Sequence, residues 1–354
     1  MAFGHIYNFS IGRFIMDIIP QHGGDIYRFA KACGCEVSEV IDLSSNINVI
    51  QPNITIDFNT LDIAPYPNYE QLEEAIANRY AIEPTMLELF NGATSAIYSL
   101  FRSLKTRAVT LYAPLYGEYS KASKLYGYNI HLINRFEPID QEVKEGSLVI
   151  FVNPSTPDGQ YHNIDRLMQA WIKKSCTILV DESFLDFTPY PSATPYLKTY
   201  DKLYILKSMT KFYSAAGMRI GALISNTTNI QQIKAQEPLW KISQFDSHYL
   251  QAALRDPLFA KTTQSITQAN RAFLIRTLEQ CPYIAKVYPS TANYLLVKLQ
   301  GITAPTLQQH LIPHKIMIRN CANFDFLDEQ FVRIAIKEIT LLKKLEHALC
   351  EISI

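Results

Sequence analysis

The chain has 354 residues, of which 48% are hydrophobic and 19% charged, with Lys+Arg and Asp+Glu equal at 33 each. A net charge of zero without charge runs speaks against nucleic acid or an anionic membrane surface as a partner, and no apolar run approaches the ~18 residues of a membrane span. The length allows one large or two moderate domains with ample core.

The first stretch, 1–24, is apolar but carries Arg13 and Asp17 and has no small-residue cleavage site, so it reads as structure and not as a signal peptide. His22-Gly23-Gly24-Asp25 precedes a helical pattern over 26–33, with Asp25 as the N-cap. The cysteines, Cys33, Cys35, Cys176, Cys281, Cys321 and Cys350, follow neither a disulfide framework nor zinc spacing. They read as free thiols in a reducing cytoplasm, with no metal site. The segment from Asp42 to Asn48, which contains Ser45 and Asn46, is polar and turn-prone. It is either a surface loop with Asx turns or a set of amides lining a site at a domain junction.

A turn at Tyr66-Pro67-Asn68-Tyr69 leads into a helix over 72–80. The run Asn91-Gly92-Ala93-Thr94-Ser95 then opens a helix with Ile97, Leu100, Phe101 and Leu104 on one face. A glycine turn at a helix start presents free N–H groups at the positive dipole end. It is either a phosphate cradle or an ordinary cap. Strands are expected over 108–112, 147–152, 177–180 and 203–206, with helices at 116–126 and 164–173 between them. Such alternation predicts a mainly parallel sheet, whose ligand sits beyond the carboxyl ends of its strands. Tyr116, the turn from Asn153 to Gly159, Asp181, and the pair Ser208 and Lys211 each follow a strand end.

Lys211 lies between two apolar runs, with Ser208 three residues before it and Arg219 eight after it; Gly217 and Gly221 flank Arg219. Poor hydration there favours the neutral, nucleophilic amine. The hydroxyl and the guanidinium suit a phosphate monoester. A Schiff-base lysine with a phosphate anchor is what pyridoxal 5'-phosphate (PLP) requires; a surface-loop lysine is the plainer alternative. A carboxylate at Asp181 can pair with a pyridinium nitrogen, and Tyr116 can stack on the ring. Beyond Glu237-Pro238-Leu239-Trp240 the pattern changes to long helices as far as 281. Strands at 293–299, 315–319 and 331–336 and a last helix at 340–350 follow, as in a smaller α+β domain.

Taken in order, NGATSAI, PLYGEY, NPSTPDG, DESFLDF, SMTKFYSAAGMRIG, ANYLLV and FVRIAIK resemble the fold-type I PLP-dependent enzymes of the histidinol-phosphate aminotransferase-like group, over most of the chain. HGGD, DLSSNIN and the late IMIRNCANF segment are similar to the L-threonine-O-3-phosphate decarboxylases of cobamide biosynthesis. The resemblance implies an α/β fold of the PLP-dependent transferase type, with a mainly parallel seven-stranded sheet in a large domain and a small α+β C-terminal domain. Its divisions fall at 1–60 for an N-terminal segment on the small domain, 61–255 for the PLP-binding domain and 256–354 for the small domain. It implies PLP as cofactor, a phospho-amino acid as small-molecule substrate, a cytoplasmic homodimer with shared active sites, and decarboxylation to an amino-alcohol phosphate for the cobamide nucleotide loop.

By the same resemblance, Lys211 is the Schiff-base lysine and Asp181 the partner of the pyridine nitrogen. Ala93, Thr94, Ser208 and Arg219 hold the cofactor phosphate, Tyr116 stacks, and Tyr66 reaches the phosphate of the neighbouring subunit. Arg333 grips the substrate carboxylate; Arg319, His22, Ser45 and Asn46 are candidates for its phosphate. Two positions depart from the pattern. Thr156 stands where the group carries an asparagine that donates to the cofactor's phenolate oxygen, so the donor is Thr156 or Asn153. Phe184 replaces a tyrosine common among the aminotransferases, which favours the decarboxylases. Histidinol-phosphate-type transamination is the alternative, separated by its need for 2-oxoglutarate. A non-catalytic binding protein is a third, opposed by the intact Lys211, Asp181 and Arg219.

Overall fold

Asp25 caps the first helix of the structure, a computed structural model that describes residues 23–352. Its carboxylate accepts from the Arg28 amide at 3.1 Å, and α1 (Ile26–Cys33) ends at Gly34, whose φ of 65° the absent Cβ permits. The helix buries Phe29 and Ala30. A two-residue strand, β1 (Ile41–Asp42), follows.

The chain divides into two compact units. One takes the described chain up to Asn46 and from Thr267 on; the other is Ile47–Ile266. The boundaries expected from the sequence lay at 60 and 255.

The larger unit is built from α2 (Glu70–Tyr80), β2 (Leu87–Asn91), α3 (Gly92–Ser103), β3 (Ala108–Ala113), α4 (Glu118–Leu125), β4 (Asn129–Asn134), β5 (Leu148–Val152), α5 (Asp165–Lys173), β6 (Thr177–Asp181), β7 (Leu203–Ser208), the short α6 (Met209–Phe212), β8 (Ile220–Ile224), α7 (Thr227–Lys234) and α8 (Gln244–Leu254). The strands form one seven-stranded sheet in the order β2-β8-β7-β6-β5-β3-β4. The run from β4 to β7 is parallel; β8 is antiparallel to β7 and β2 antiparallel to β8. The mainly parallel seven-stranded sheet is therefore present. The central strands are uninterrupted apolar runs because both of their faces are covered; every residue of β5 and of β7 is buried. Chain order reverses at β3, whose neighbours are β4 and β5, and this switch opens the crevice in which such sheets bind ligands.

Three strands of this sheet are less visible in the sequence. β4 carries polar residues on an exposed edge, β2 merges into the glycine turn after it, and β8 is legible only as an apolar run.

After α9 (Phe259–Glu279), the remaining unit holds β9 (Ile284–Val287), β10 (Tyr294–Leu299), α10 (Ala304–Leu311), β11 (Ile316–Met317), β12 (Arg319–Asn320), β13 (Phe331–Ala335) and α11 (Ile339–Cys350). An antiparallel sheet in the order β12-β13-β10-β9 packs under α11, whose Leu342, Leu345 and Leu349 join Leu295, Val297, Val332 and Ile334 in one core. Ile41 and Leu43 enter the same core. The single strand expected over 315–319 is two: β11 pairs with β1 and β12 with β13, so the pairing partner changes at Ile318.

Among the described residues, no helix is long and apolar enough to cross a membrane.

Candidate active site

β7 and β8 form a hairpin whose last register pair is Ser208 with Gly221. The Lys211 Nζ donates to Ser208 Oγ at 3.4 Å and lies 5.2 Å from the centre of the Phe184 ring. Ser208 Oγ also meets Thr210 Oγ1 at 2.9 Å. The loop is fixed from outside by Asn48. Its amide N–H donates to the Lys211 carbonyl at 3.0 Å, its side chain donates to the Phe212 carbonyl at 2.8 Å, and its own carbonyl accepts from Ser214 Oγ at 2.9 Å.

Arg219 comes back towards the start of α3. A Cβ on Gly92, which has a φ of 78°, would stand 2.4 Å from Arg219 Nη2, and one on Gly221 would stand 2.3 Å from the Ala93 nitrogen. At Gly221 the neighbour is backbone, so only glycine fits; at Gly92 the positive φ favours glycine. Arg219 itself adopts a φ of 45°, a left-handed conformation costly for a side-chain-bearing residue. α3 receives no side-chain capping hydrogen bond from its N-cap residue, Asn91. Its first-turn N–H groups, the positive end of its dipole and the Arg219 guanidinium are thus gathered beside Thr94, an arrangement fitted to a phosphate. The residues present fit the cofactor the sequence implies.

Asp181 ends β6 and is 4% exposed. One carboxylate oxygen accepts from the Tyr119 hydroxyl at 2.7 Å; the other accepts from the Ser183 amide at 2.9 Å and from Ser183 Oγ. Burial, reinforced by the Asp181 charge, pushes the Tyr119 phenol well above its ordinary value. Tyr116, in the turn after β3, meets Thr94 Oγ1 through its hydroxyl at 3.2 Å, and its ring stands at 88° to that of Tyr119.

The turn after β5 begins beside Asp181, with the Asn153 amide donating to the Asp181 carbonyl at 2.8 Å. The Asn153 side chain is spent on closing this turn: it donates to the His162 carbonyl and accepts from the His162 amide, both at 2.9 Å. Thr156 is buried within it. Asp158 is held by Arg135 at 3.6 Å, both buried, and Arg135 also donates to the Val152 carbonyl at 3.2 Å. Behind β6 and β7, Lys207 and Glu182 form a buried ion pair at 2.6 Å, with Lys207 over the Tyr80 ring.

The structure joins Thr94 to Tyr116 and Lys211 to Ser208, sets Arg219 and Gly221 against Gly92 and Ala93 at the start of α3, and sets Asn153 against Asp181. Tyr66 is outside that group; it is 74% exposed and stacks on Trp240 at 4.0 Å.

The smaller unit gathers the other candidates. Arg319 on β12 and Arg333 on β13 are register partners, both buried. Arg319 donates to Asn323 Oδ1 at 2.6 Å and to the Asn320 carbonyl; Arg333 donates to the Ser44 carbonyl at 2.8 Å. Burial lowers both guanidinium groups, Arg319 to about 10. Asp42 Oδ1 shapes the Ser44–Ser45 turn by accepting from the Ser44 and Ser45 amides at 2.8 and 3.1 Å. Asn293 donates to the Asn46 carbonyl at 2.8 Å, which leaves the side-chain oxygens of Asn46 and Asn293 buried with no hydrogen-bond partner among the described residues. His22 lies outside the described residues; Gly24 donates to Ser44 Oγ at 2.9 Å.

Tyr119, Ser183, Asn48, Asn293 and the Arg135–Asp158 pair were not singled out from sequence. The spacing of Tyr119, one turn after Tyr116, was the available signal. Nothing local marks Arg135 as the partner of Asp158.

The family profile described as aminotransferase class I and II matches residues 38–349. The threonine-phosphate decarboxylase of Salmonella typhimurium is 28% identical over 350 residues, covering 93% of this chain and 95% of that protein. Among solved structures, the histidinol-phosphate aminotransferase from Clostridium acetobutylicum superposes with a TM-score of 0.78 at 29% identity, over 88% of this chain and 98% of that one. The L-threonine-O-3-phosphate decarboxylase from Porphyromonas gingivalis has the same TM-score and coverage at 21% identity, which bears on fold alone.

Proposed function

Starting from a chain that belongs to the PLP-dependent aminotransferase class I and II family, we propose that the protein decarboxylates an O-phosphorylated hydroxy amino acid. O-Phospho-L-threonine or O-phospho-L-serine would be converted to the amino-alcohol phosphate and CO2. The observation that carries this reading is the register pair Arg319 and Arg333. Two buried guanidinium groups side by side suit a substrate with two anionic ends, here a carboxylate and a phosphate. The match to the Salmonella decarboxylase over nearly the whole of both chains supports the same choice.

In this reading Lys211 carries the cofactor covalently. Thr94, Ser208, Arg219 and the first amides of α3, Ala93 included, hold its phosphate. Tyr116 covers the ring. Asp181 holds the proton on the ring nitrogen. Thr156 supplies the hydroxyl for the phenolate oxygen, since the Asn153 amide is engaged with His162. Bound there, the cofactor supplies the sink for the electron pair of the Cα–carboxylate bond. Arg333 holds the substrate carboxylate. Arg319 takes the phosphate, with Ser45, Asn46 and His22 as further candidates. Lys211 Nζ returns a proton to Cα. Tyr66, exposed and stacked on Trp240, is free to serve the phosphate of a second subunit in a cytoplasmic homodimer.

The second reading is histidinol-phosphate-type transamination, favoured by the 29% identity to the clostridial enzyme. Incubation with each phospho-amino acid, with and without 2-oxoglutarate, decides between the two. CO2 and a phosphorylated amine in the absence of 2-oxoglutarate support decarboxylation. Turnover that requires the 2-oxo acid and releases no CO2 overturns it.

A further inference from the structure

We propose that Tyr119 is a positioning residue for Asp181, and that it sets how firmly that carboxylate holds the cofactor's ring nitrogen. The proposal rests on the role given to Asp181 above and adds a residue to it. Tyr119 is 0% exposed and Asp181 is 4% exposed, and their hydrogen bond is 2.7 Å long. A phenol so deep must find an acceptor, and a carboxylate gives it a charge-assisted bond. The Ser183 amide and hydroxyl hold the other oxygen, so Asp181 is gripped on both sides and its plane is set before any ligand arrives.

The placement of Tyr119 ties this grip to the rest of the site. The Tyr119 amide donates to the Tyr116 carbonyl at 3.1 Å, and the two rings lie edge to face with centroids 6.5 Å apart. Tyr116 in turn meets Thr94 at the start of α3. A continuous line of contacts, Thr94 to Tyr116 to Tyr119 to Asp181, therefore joins the phosphate cradle to the carboxylate. One helical turn supplies both the ring proposed to cover the cofactor and the hydroxyl that orients its partner. Tyr119 thereby fixes the direction in which Asp181 presents its carboxylate.

The test is a double-variant cycle of Tyr119→Phe and Asp181→Asn. It reads the Kd of apoprotein for PLP by titration, and kcat and KM for O-phosphothreonine on the loaded enzyme. Tyr119→Phe keeps the ring and should raise the PLP Kd and lower kcat about tenfold each, the size of one hydrogen bond to a charged group, with KM changed less than twofold. In the Asp181→Asn background the same change should have no further effect, because Tyr119 acts through the carboxylate. Equal effects in both backgrounds assign Tyr119 a merely structural role and overturn the proposal, as does an unchanged Kd and kcat in the single variant. If Asp181→Asn alone leaves Kd and kcat untouched, it is the assignment of Asp181 that fails, and that result is read independently of Tyr119.

Discussion

Arg319 and Arg333 stand opposite each other as Cα partners on two antiparallel strands. The Arg333 charge lowers the proton affinity of Arg319, after the larger effect of burial. Such a pair is costly without an anion, because buried like charges repel and each has lost water. If Arg319 reads the phosphate, Arg319→Ala should reduce kcat/KM for O-phosphothreonine by roughly 10²-fold, the loss of a bond to a charged group, and leave PLP content unchanged. The ratio of kcat/KM for phosphorylated over free amino acid should collapse towards unity. An unchanged ratio would sink the assignment and pass the role to Asn46 or His22.

Lys211 should carry the cofactor. Its amine sits beside Ser208 Oγ within the β7–β8 hairpin. The purified protein should absorb in the visible, and borohydride reduction followed by peptide mass mapping should leave the label on Lys211. A label on any other lysine refutes the site.

Gly221 should tolerate no side chain. A Cβ there would meet the Ala93 nitrogen and the Gly92 carbonyl carbon at 2.3 and 2.6 Å, and backbone has no flexible end to swing away. Gly221→Ala should push the start of α3 off the sheet and weaken PLP binding tenfold or more, on the order of the 1–3 kcal/mol typical of a strained position. Titration of the apoprotein measures it; an unchanged Kd would mean that the cradle can shift without loss.

The Arg135–Asp158 pair makes a stability prediction. Removing one member of a buried pair strands the other, at about 3–5 kcal/mol. Arg135→Met should lower the urea midpoint strongly, and Arg135→Met with Asp158→Asn should recover part of that loss. A double variant no more stable than the single one would argue against the coupling.

His162 makes the fold sensitive to acid. Burial, with a smaller effect from the Arg135 charge, lowers it from 6.5 to about 4. The unfolded chain therefore takes up a proton below pH 6.5 that the folded chain refuses until about pH 4. The stability due to neutral His162 is complete above 6.5 and is lost as pH falls through that window. Urea unfolding at pH 7, 6, 5 and 4 should show this slope, and it should flatten in His162→Gln. An identical slope in the variant would assign the acid sensitivity to other groups.

Much of the fold was legible where its chemistry is local. Asp25, Gly34 and the apolar spacing of 26–33 fix α1 without reference to the rest of the chain. The apolar runs of β5, β6 and β7 announce buried parallel strands, and the residues that follow them fall at one end of the sheet. What the sequence hid depends on pairing across long separations. β4 reads as polar because it is an edge strand. Arg319 and Arg333 become opposite residues only when β12 meets β13. Tyr119 looks like any buried aromatic until β6 brings Asp181 to its hydroxyl. The change of partner at Ile318 has no sequence mark, since a two-residue pairing is too short for alternation to show.

The Ser208–Gly221 register pair has a consequence for how the protein acquires its cofactor in the cell. It closes Lys211 and Arg219 into one short loop, whose closure costs little entropy. Asp181 and the start of α3 join that loop only after β6 and β2 have docked on either side of the hairpin. If Lys211 and Arg219 hold the cofactor as proposed, an unfolded chain would offer a lysine and an arginine but no complete receptor, and PLP would bind the assembled sheet. Free cofactor at 100 times its Kd would then add about 2.7 kcal/mol to the folded state. Chains made during vitamin B6 shortage would spend more time open to proteases, so the abundance of this protein would follow the supply of its cofactor as well as the rate of its synthesis.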